Sequence, residues 1–407
     1  MGTRRRRLHD ALIVAEITLS LVLLTGAGLA IRGLFTLKNQ QLGYEPQNAL
    51  TFLMPLNEGR YTQWSSRLAL FQNIVNKLER SPQVEAAAVS ATGTPPYNGF
   101  RSTVTFDNHP LSQAPEARVN LVQNGYFAAV GTKLLRGRDL TEADVLEGRP
   151  VAVISEDMVK RNFSAGVEPI GHHITVDIFN QALPPEFLKS PKFNNAFDIV
   201  GVVGVARNQG LNEAPVPAMF IPYSMLLPPN AFVIARTKGD PNALIATTRE
   251  AVRAVDKNQP ITLTRTLEGW LDTATAYQSF ATFLFGVFGA VGMLLAAAGV
   301  FSVVSYSVAH RTREFGIRMA LWAEPGDVLK LVLLATGKIL AVGLFVGLGL
   351  SILASHLLAE RMQGMGTADP LLFVVVPLVL IVATFAACFL PARSATRIQP
   401  MEALRQD

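Results

Sequence analysis

Residues 280–309 read FATFLFGVFGAVGMLLAAAGVFSVVSYSVA and contain no charged side chain. A helix of about 20 apolar residues is long enough to cross the hydrocarbon core of a bilayer. Residues 371–390 are uncharged as well, and the whole chain of 407 residues is 49% apolar, which is high for an ordinary soluble protein. Both stretches therefore predict transmembrane helices.

Two further stretches predict transmembrane helices, because each is apolar over about 20 residues. Residues 339–359 carry only His356 near one end, and residues 11–31 carry Glu16 early in the stretch. Residues 37–279 contain no stretch of this kind. The predicted fold class is a membrane α-helical protein with four transmembrane helices and one α+β periplasmic domain inserted between the first two.

The distribution of arginine predicts the orientation, since basic residues are retained on the cytoplasmic side of a membrane. Arginines cluster in the tail before residue 11, in the loop after residue 309 and at the C-terminus, whereas the loop between the last two spans has only Arg361. We therefore expect an inner-membrane protein with both termini in the cytoplasm. A cleaved signal peptide over residues 1–31 is the alternative, although its apolar stretch exceeds the usual length of about 7–15 residues.

The inserted region shows two βαβ patterns, one at each end. Residues 48–55, the stretch from Val84, residues 231–236 and residues 261–264 have strand-like composition. Residues 61–80 and the stripe Leu244, Thr248, Val252 and Val255 have helical spacing. Between the two units, alternating segments predict a mostly β subdomain with an exposed loop near Pro184 and Pro185. The bracketing units suggest an α+β domain built from distant pieces of chain.

A helical stripe that starts at Leu267 continues into the second span without a Gly-Pro break. One helix from Leu267 to Ala309 would be roughly 65 Å long at 1.5 Å per residue. Such an element would join the inserted domain to the cytoplasmic loop and could carry motion between them.

Several functional classes are disfavoured by composition and motifs. Cys388 is the only cysteine, so neither an intrachain disulfide nor a cysteine metal site can form within these residues. The net charge of +5 is concentrated beside the spans, which argues for a membrane and against nucleic acid. The sequence contains no G-x-x-x-x-G-K-[ST] loop and no G-x-S-x-G or H-E-x-x-H motif. We expect no catalytic, cofactor or metal site, including at His172 and His173, which lack ligand-type neighbours in sequence.

Several motifs together resemble FtsX/MacB-type ABC transporter permeases. The segments that carry the resemblance are RTREFGIRMAL (311–321), the Pro-Gly-Asp turn at 325–327, LPARSATRIQPMEALR (390–405), YFAAVGTKLLRGRDLTEAD (126–144), PVAVISEDMVKRNF (150–163) and IVGVVGVAR (199–207). Each motif alone is weak, but the combination covers nearly the whole chain. One departure is Trp322, where a glycine is usual.

The resemblance implies a permease that works with a cytoplasmic ATPase subunit, which binds ATP and Mg, and with a second permease subunit or half. It implies efflux or export, with a periplasmic adaptor and an outer-membrane exit duct as further partners. The residues expected to contact the ATPase are Arg311, Arg313, Glu314, Phe315, Gly316, Ile317, Arg318 and Met319. The chain would be either half of a duplicated permease or an independent subunit.

Combining these observations, the predicted boundaries are a basic tail 1–10, spans 11–35, 339–359 and 371–390, a periplasmic core domain 37–266, a stalk with the second span 267–309, a coupling loop 310–338, a short periplasmic loop 360–370 and a cytoplasmic tail 391–407. An amphipathic helix is expected from Pro325 to Lys338. Glu16 is a candidate intramembrane polar site, and a secondary transporter that uses it is one alternative function. A membrane-anchored periplasmic binding or scaffold protein without a motor is the other.

Overall fold

The computed structural model describes residues 2–57, 59–107, 115–164, 166–310, 325–361 and 370–395. The chain divides into two compact units. The helical unit comprises Met1–Asn39 and Ala276–Asp407, and the inserted domain comprises Gln40–Thr275.

The described helices are α1 (Gly2–Lys38), α2 (Trp64–Glu79), α3 (Tyr126–Val130), α4 (Glu142–Glu147), α5 (Glu156–Asn162), α6 (Leu244–Val255), α7 (Leu267–Ala274), α8 (Ala276–His310), α9 (Pro325–Arg361) and α10 (Leu372–Ala395). The described strands are β1 (Ala49–Pro55), β2 (Val84–Ser90), β3 (Gly93–Thr94), β4 (Tyr97–Asn98), β5 (Phe100–Phe106), β6 (Glu116–Val122), β7 (Leu134–Gly137), β8 (Val151–Ser155), β9 (His173–Val176), β10 (Leu188–Lys189), β11 (Ala196–Val203), β12 (Ala218–Pro222), β13 (Leu226–Leu227), β14 (Asn230–Thr237) and β15 (Thr262–Thr266).

The helical unit contains four helices that are long and apolar enough to cross a membrane, within the described part of the chain. The qualifying segments are Asp10–Lys38, Ala276–Tyr306, Thr336–His356 and Leu372–Phe389. A helix suits these sequences because it satisfies every backbone polar group internally, which hydrocarbon surroundings require. Large apolar side chains such as Phe283 and Phe345 remain exposed on these helices. The prediction of four spans is confirmed.

The four-helix core lies where α1 meets α8, α9 and α10. Ile13, Ile17 and Leu21 recur at helical spacing on α1 and are almost fully buried. They pack in one cluster with Ala296 of α8 and with apolar residues of α9 and α10. Helix α1 therefore presents one face to the rest of the bundle.

The two βαβ units of the inserted domain interlock in one four-stranded region. The strand order there is β2-β14-β1-β15, with every neighbouring pair antiparallel. Strands β1 and β2 are consequently parallel, with β14 between them, and β14 and β15 are parallel, with β1 between them. Helices α2 and α6 make the two crossovers, as in a split βαβ arrangement. The predicted βαβ units are confirmed, although they are interleaved and not side by side.

The middle of the inserted domain forms a closed ring of strands. The pairings run β6-β12-β8-β11-β9-β5 and return to β6, because β12 pairs with both β8 and β6. Alternate side chains, such as Val119 and Leu121, enter one large core, while Val122 belongs to a second cluster with α3. This alternation is expected of a closed sheet, whose side chains point in and out in turn. The ring is the mostly β subdomain that the sequence predicted.

The ring joins the split βαβ region through a single registered pair, Ser90 of β2 with Val122 of β6. Strand β7 pairs with β11 beside the ring. The segment around Pro184 and Pro185 is an exposed loop, as predicted.

Candidate functional site

The residues expected to contact the ATPase, Arg311 to Met319, lie outside the residues that the structure describes, and so does Trp322. The structure describes the helices on both sides of this loop. Helix α8 ends at His310, and α9 begins at Pro325. Proline is well suited to the first turn of a helix, because its missing N–H has no intrahelical acceptor there.

Helix α9 differs from the predicted amphipathic helix that ends at Lys338. It runs without interruption from Pro325 to Arg361. The apolar run that starts at residue 339 follows directly, there is no proline between 326 and 361, and Gly337 does not end the helix. The described part of the 310–338 loop is therefore continuous with the third span.

The prediction of one helix from Leu267 to Ala309 is wrong. Helix α7 ends at Ala274, and α8 begins at Ala276. Between them Thr275 has φ −102° and ψ 1°, outside the usual helical region. Its hydroxyl donates to the Leu271 carbonyl oxygen at 3.0 Å. The Thr275 backbone N–H donates to the same carbonyl oxygen at 2.9 Å, so the interruption begins only after this residue.

Glu16 lies in α1 and faces α8. A methyl group on Gly299 of α8 would collide with its Oε2 atom. Oε2 is buried and has no hydrogen-bond partner among the described residues. Because Gly299 has no side chain, the Glu16 carboxyl group fits between the two helices.

Polar and small residues hold α1 close to α8. Ser20 Oγ lies 2.7 Å from the carbonyl oxygen of Gly292 and 2.7 Å from that of Glu16. A Cβ atom on Gly292 would lie 3.2 Å from Ser20 Oγ. Small residues of this kind allow helices to approach closely in membranes, where interhelical hydrogen bonds also contribute.

Helix α9 packs against α1 by the same means. Thr18 Oγ1 donates to the Gly343 carbonyl oxygen at 3.2 Å, and side chains on Gly343 or Gly347 would collide with Ile17 and Leu21. Helix α1 is therefore in close contact with both α8 and α9, the two helices that flank the cytoplasmic loop.

The two adjacent histidines of the inserted domain each have an acidic partner. His172 Nδ1 lies 2.6 Å from Asp107 Oδ2, and His173 Nδ1 lies 2.5 Å from Asp198 Oδ1. The His173 backbone N–H donates to Asp107, and this bond, with the nearby His172 ring, holds the pKa of Asp107 below its usual value despite partial burial. Sequence spacing could not reveal these pairs, because strand pairing creates them. Among the described residues no group of three potential ligands could hold a metal ion.

The GRDLTEAD segment (137–144) is built around a buried carboxylate. Arg138 Nη1 donates to Asp144 Oδ2 at 2.6 Å, and Thr141 completes a capping box with Asp144 at the start of α4. Burial opposes ionisation of Asp144, but the bonds from Arg138 and Thr141 outweigh it and lower the pKa below its usual value. Gly137 adopts φ 72°, and a Cβ there would overlap the Val200 carbonyl oxygen. This motif therefore stabilises the fold.

Both units of the chain match families of known proteins. The family described as MacB-like periplasmic core domain matches residues 11–255, more than half of the chain, and the family described as FtsX-like permease C-terminal matches residues 286–400. A probable export ATP-binding/permease protein of Pseudomonas fluorescens is 25% identical over 72% of this chain and 44% of its own length. An uncharacterized ABC transporter permease of Bacillus subtilis, YknZ, is 25% identical over 72% of this chain and 70% of its own length.

The crystal structure of the periplasmic region of MacB from Actinobacillus actinomycetemcomitans matches 58% of this chain and 97% of that chain, at 15% identity and a TM-score of 0.37. The chain spans less than half the length of the first curated relatives that it matches. With a periplasmic core domain and a permease region matched in the order expected, the chain belongs to the family of MacB/FtsX-like ABC transporter permeases.

Proposed function

We propose that this chain is a permease subunit that transmits ATP-driven motion of a cytoplasmic ATPase to its periplasmic domain, for export of periplasmic cargo. The observation that carries this proposal is how the chain enters and leaves the inserted domain. Strand β1 is the first strand of the domain and β15 is its last, and the two are hydrogen-bonded neighbours.

The entry and the exit lie at the same end of this strand pair. Leu50, near the start of β1, is in register with Thr266, the last residue of β15. Trp270 of α7 reinforces the pair, because its Nε1 donates to Thr51 Oγ1 at 2.9 Å. Nine linker residues precede β1 after Asn39, and only Thr275 separates α7 from α8. A displacement of α8 would therefore act on α7 and β15, whereas a displacement of α1 would act first on residues 42–45, which bond to Val130 and Arg207.

The helical unit supports the same mechanism at its other end. Helices α8 and α9 flank the loop expected to contact the ATPase, and α1 packs closely on both. A force on the loop would thus reach α1 and α8, which are the two helices that connect to the inserted domain. Close glycine contacts favour transmission, because they leave little room for one helix to move alone.

The motor belongs to a partner in this proposal. ATP and Mg would bind to that ATPase, since this sequence has no phosphate-binding loop of the G-x-x-x-x-G-K-[ST] type. Relatives named as ATP-binding/permease proteins support an ATPase partnership. A second permease copy, a periplasmic adaptor and an outer-membrane duct are further proposed partners, and the arginine distribution supports cytoplasmic termini.

The proposal is tested by co-purification of the full chain with its ATPase. We expect substitution of Glu314→Ala together with Arg318→Ala to reduce the retained ATPase about tenfold, because charged contacts at protein interfaces are costly to leave unpaired. The matched control is Arg361→Ala, which removes a charge from the loop predicted on the opposite side of the membrane. Equal retention by the double variant and the wild type would contradict the role of this loop.

A further inference from the structure

Two arginines face each other on the outer side of the strand ring. Arg101 of β5 and Arg118 of β6 are directly opposite in the antiparallel register. Like charges at such positions destabilise a sheet, since their Cβ atoms are only about 5 Å apart. Burial together with the charge of Arg101 lowers the pKa of Arg118. The two cations thus repel each other, although the charges of Glu213 and Glu116 partly offset this repulsion at Arg118.

The two guanidinium groups share a neutral acceptor. Arg101 Nη2 donates to Gln209 Oε1 at 2.9 Å, and Arg118 Nη2 donates to the same oxygen at 3.3 Å. The Gln209 amide is oriented by its own Nε2, which donates to the Ala214 carbonyl oxygen at 3.0 Å. An amide oxygen carries only a partial charge, so it compensates two cations weakly.

Acidic side chains do not neutralise the pair effectively. Glu116 Oε2 lies 3.8 Å from Arg101 Nη1, and both side chains are more than half exposed, so the contact contributes at most about 1 kcal/mol. Within the described ranges, no carboxylate forms an ion pair with Arg118. Glu213 and Glu116 act on Arg118 only through space, so they offset part of its charge without bonding to its guanidinium group.

One unsatisfied donor belongs to Arg118 itself. Arg118 Nη1 donates to the Gly99 carbonyl oxygen at 2.9 Å, but its Nε atom is buried without a partner among the described residues. Buried polar atoms in native proteins nearly always have partners, so this donor independently indicates that an acceptor group belongs here.

An exposed aromatic ring borders the same place. Tyr97 is 56% exposed, and it forms a β-bridge with Gln209. The Gly210 backbone N–H donates to the Pro96 carbonyl oxygen at 2.8 Å, which fixes the hairpin against the loop that carries Gln209. A fixed, exposed ring beside cations can pack against the non-polar part of a ligand.

We propose that Arg101, Arg118 and Gln209 form a binding site for the carboxylate or phosphate group of an anionic ligand, whose non-polar part packs on Tyr97. The oxyanion accepts the two bonds that Gln209 Oε1 accepts in the unliganded protein. Planar guanidinium groups match the geometry of carboxylate and phosphate, and such bonds are stronger than bonds to a neutral amide. This binding does not depend on an ATPase.

The test is isothermal titration calorimetry of the full chain in a non-ionic detergent, with sodium acetate and inorganic phosphate as separate probes at constant ionic strength. We expect at least one probe to bind, and the tighter one identifies the oxyanion. Arg101→Gln should weaken binding about tenfold, whereas Arg249→Gln, on the exposed side of α6, should leave it unchanged. Failure of both probes to bind, or equal weakening by the two variants, would overturn the site.

A second variant supplies the anion from within the protein. Gln209→Glu places a carboxylate between the two guanidinium groups, so we expect it to raise the Tm of the unliganded protein and to abolish binding of the probe. Arg101→Gln should also raise that Tm, because it removes the repulsion. Probe binding by Gln209→Glu with the wild-type affinity would refute the proposed position of the oxyanion.

Discussion

At the scale of the residue, Asp144 shows how a sequence motif can stabilise a fold. Its side chain is fully buried, although Arg138 and Arg149, which pair with it, are nearly half exposed. The Arg138 guanidinium and the Thr141 donors bond its Oδ2 atom, whereas its Oδ1 atom has an ion pair with Arg149 at 3.8 Å and no hydrogen bond among the described residues. The motif was identified in the sequence by its resemblance to a family motif. Its stabilising role could be seen only from the distance between Arg138 and Asp144.

We expect Asp144→Ala to lower the free energy of unfolding by about 3 kcal/mol, because it removes a buried charged partner and a capping box. Since the folded-state pKa of Asp144 is lowered, its contribution is present above the unfolded pKa and is lost as the pH falls through the folded pKa. Urea denaturation monitored at neutral and acidic pH measures both effects. The control is Glu142→Ala, because Glu142 is exposed on the same helix. An equal loss of unfolding free energy in both variants would refute the stabilising role of Asp144.

At the scale of the element, two predictions about helices failed for different reasons. Periodicity indicated that residues 267–309 are helical, which is correct for nearly every residue, but it could not show that the backbone of Thr275 would leave the helical conformation. The helix expected from Pro325 was predicted to end at Lys338, because the chain was presumed to pass there from the membrane interface into the membrane. The backbone responds to local propensity, and no residue there interrupts it.

The contact between α1 and α8 yields the element-scale prediction. Gly292→Leu should lower the stability of the helical unit by about 1–3 kcal/mol, because the new side chain would overlap Ser20 and separate the helices. Gly286→Leu on the same helix is the matched control, since a Cβ there has no neighbour within 4 Å among the described atoms. Thermal unfolding in detergent measures both variants, and equal Tm values for the two would contradict this packing.

At the scale of the whole molecule, the charge-free stretches predicted four spans, and apolar alternation predicted most strands of the inserted domain. The closure of the strand ring was not predictable in this way. It depends on pairs such as Asn120 with Phe220, which are far apart in sequence and are joined by tertiary pairing. The facing arginines 101 and 118 were missed for the same reason, because register between strands is not encoded in the local pattern.

In the proposed mechanism, motion of α8 reaches the inserted domain through α7 and β15, and β15 pairs with β1. If α8 transmits motion, this strand pair and the adjoining α7 should respond first.

The most direct test of transmission is hydrogen–deuterium exchange of the chain bound to its ATPase in lipid nanodiscs, compared without nucleotide and with ATP plus vanadate. We expect backbone exchange in residues 262–275 to change between the two states, and we expect the Glu314→Ala, Arg318→Ala variant to lose this change. Identical exchange across the inserted domain in both states of a complex that hydrolyses ATP would contradict the proposed transmission of motion.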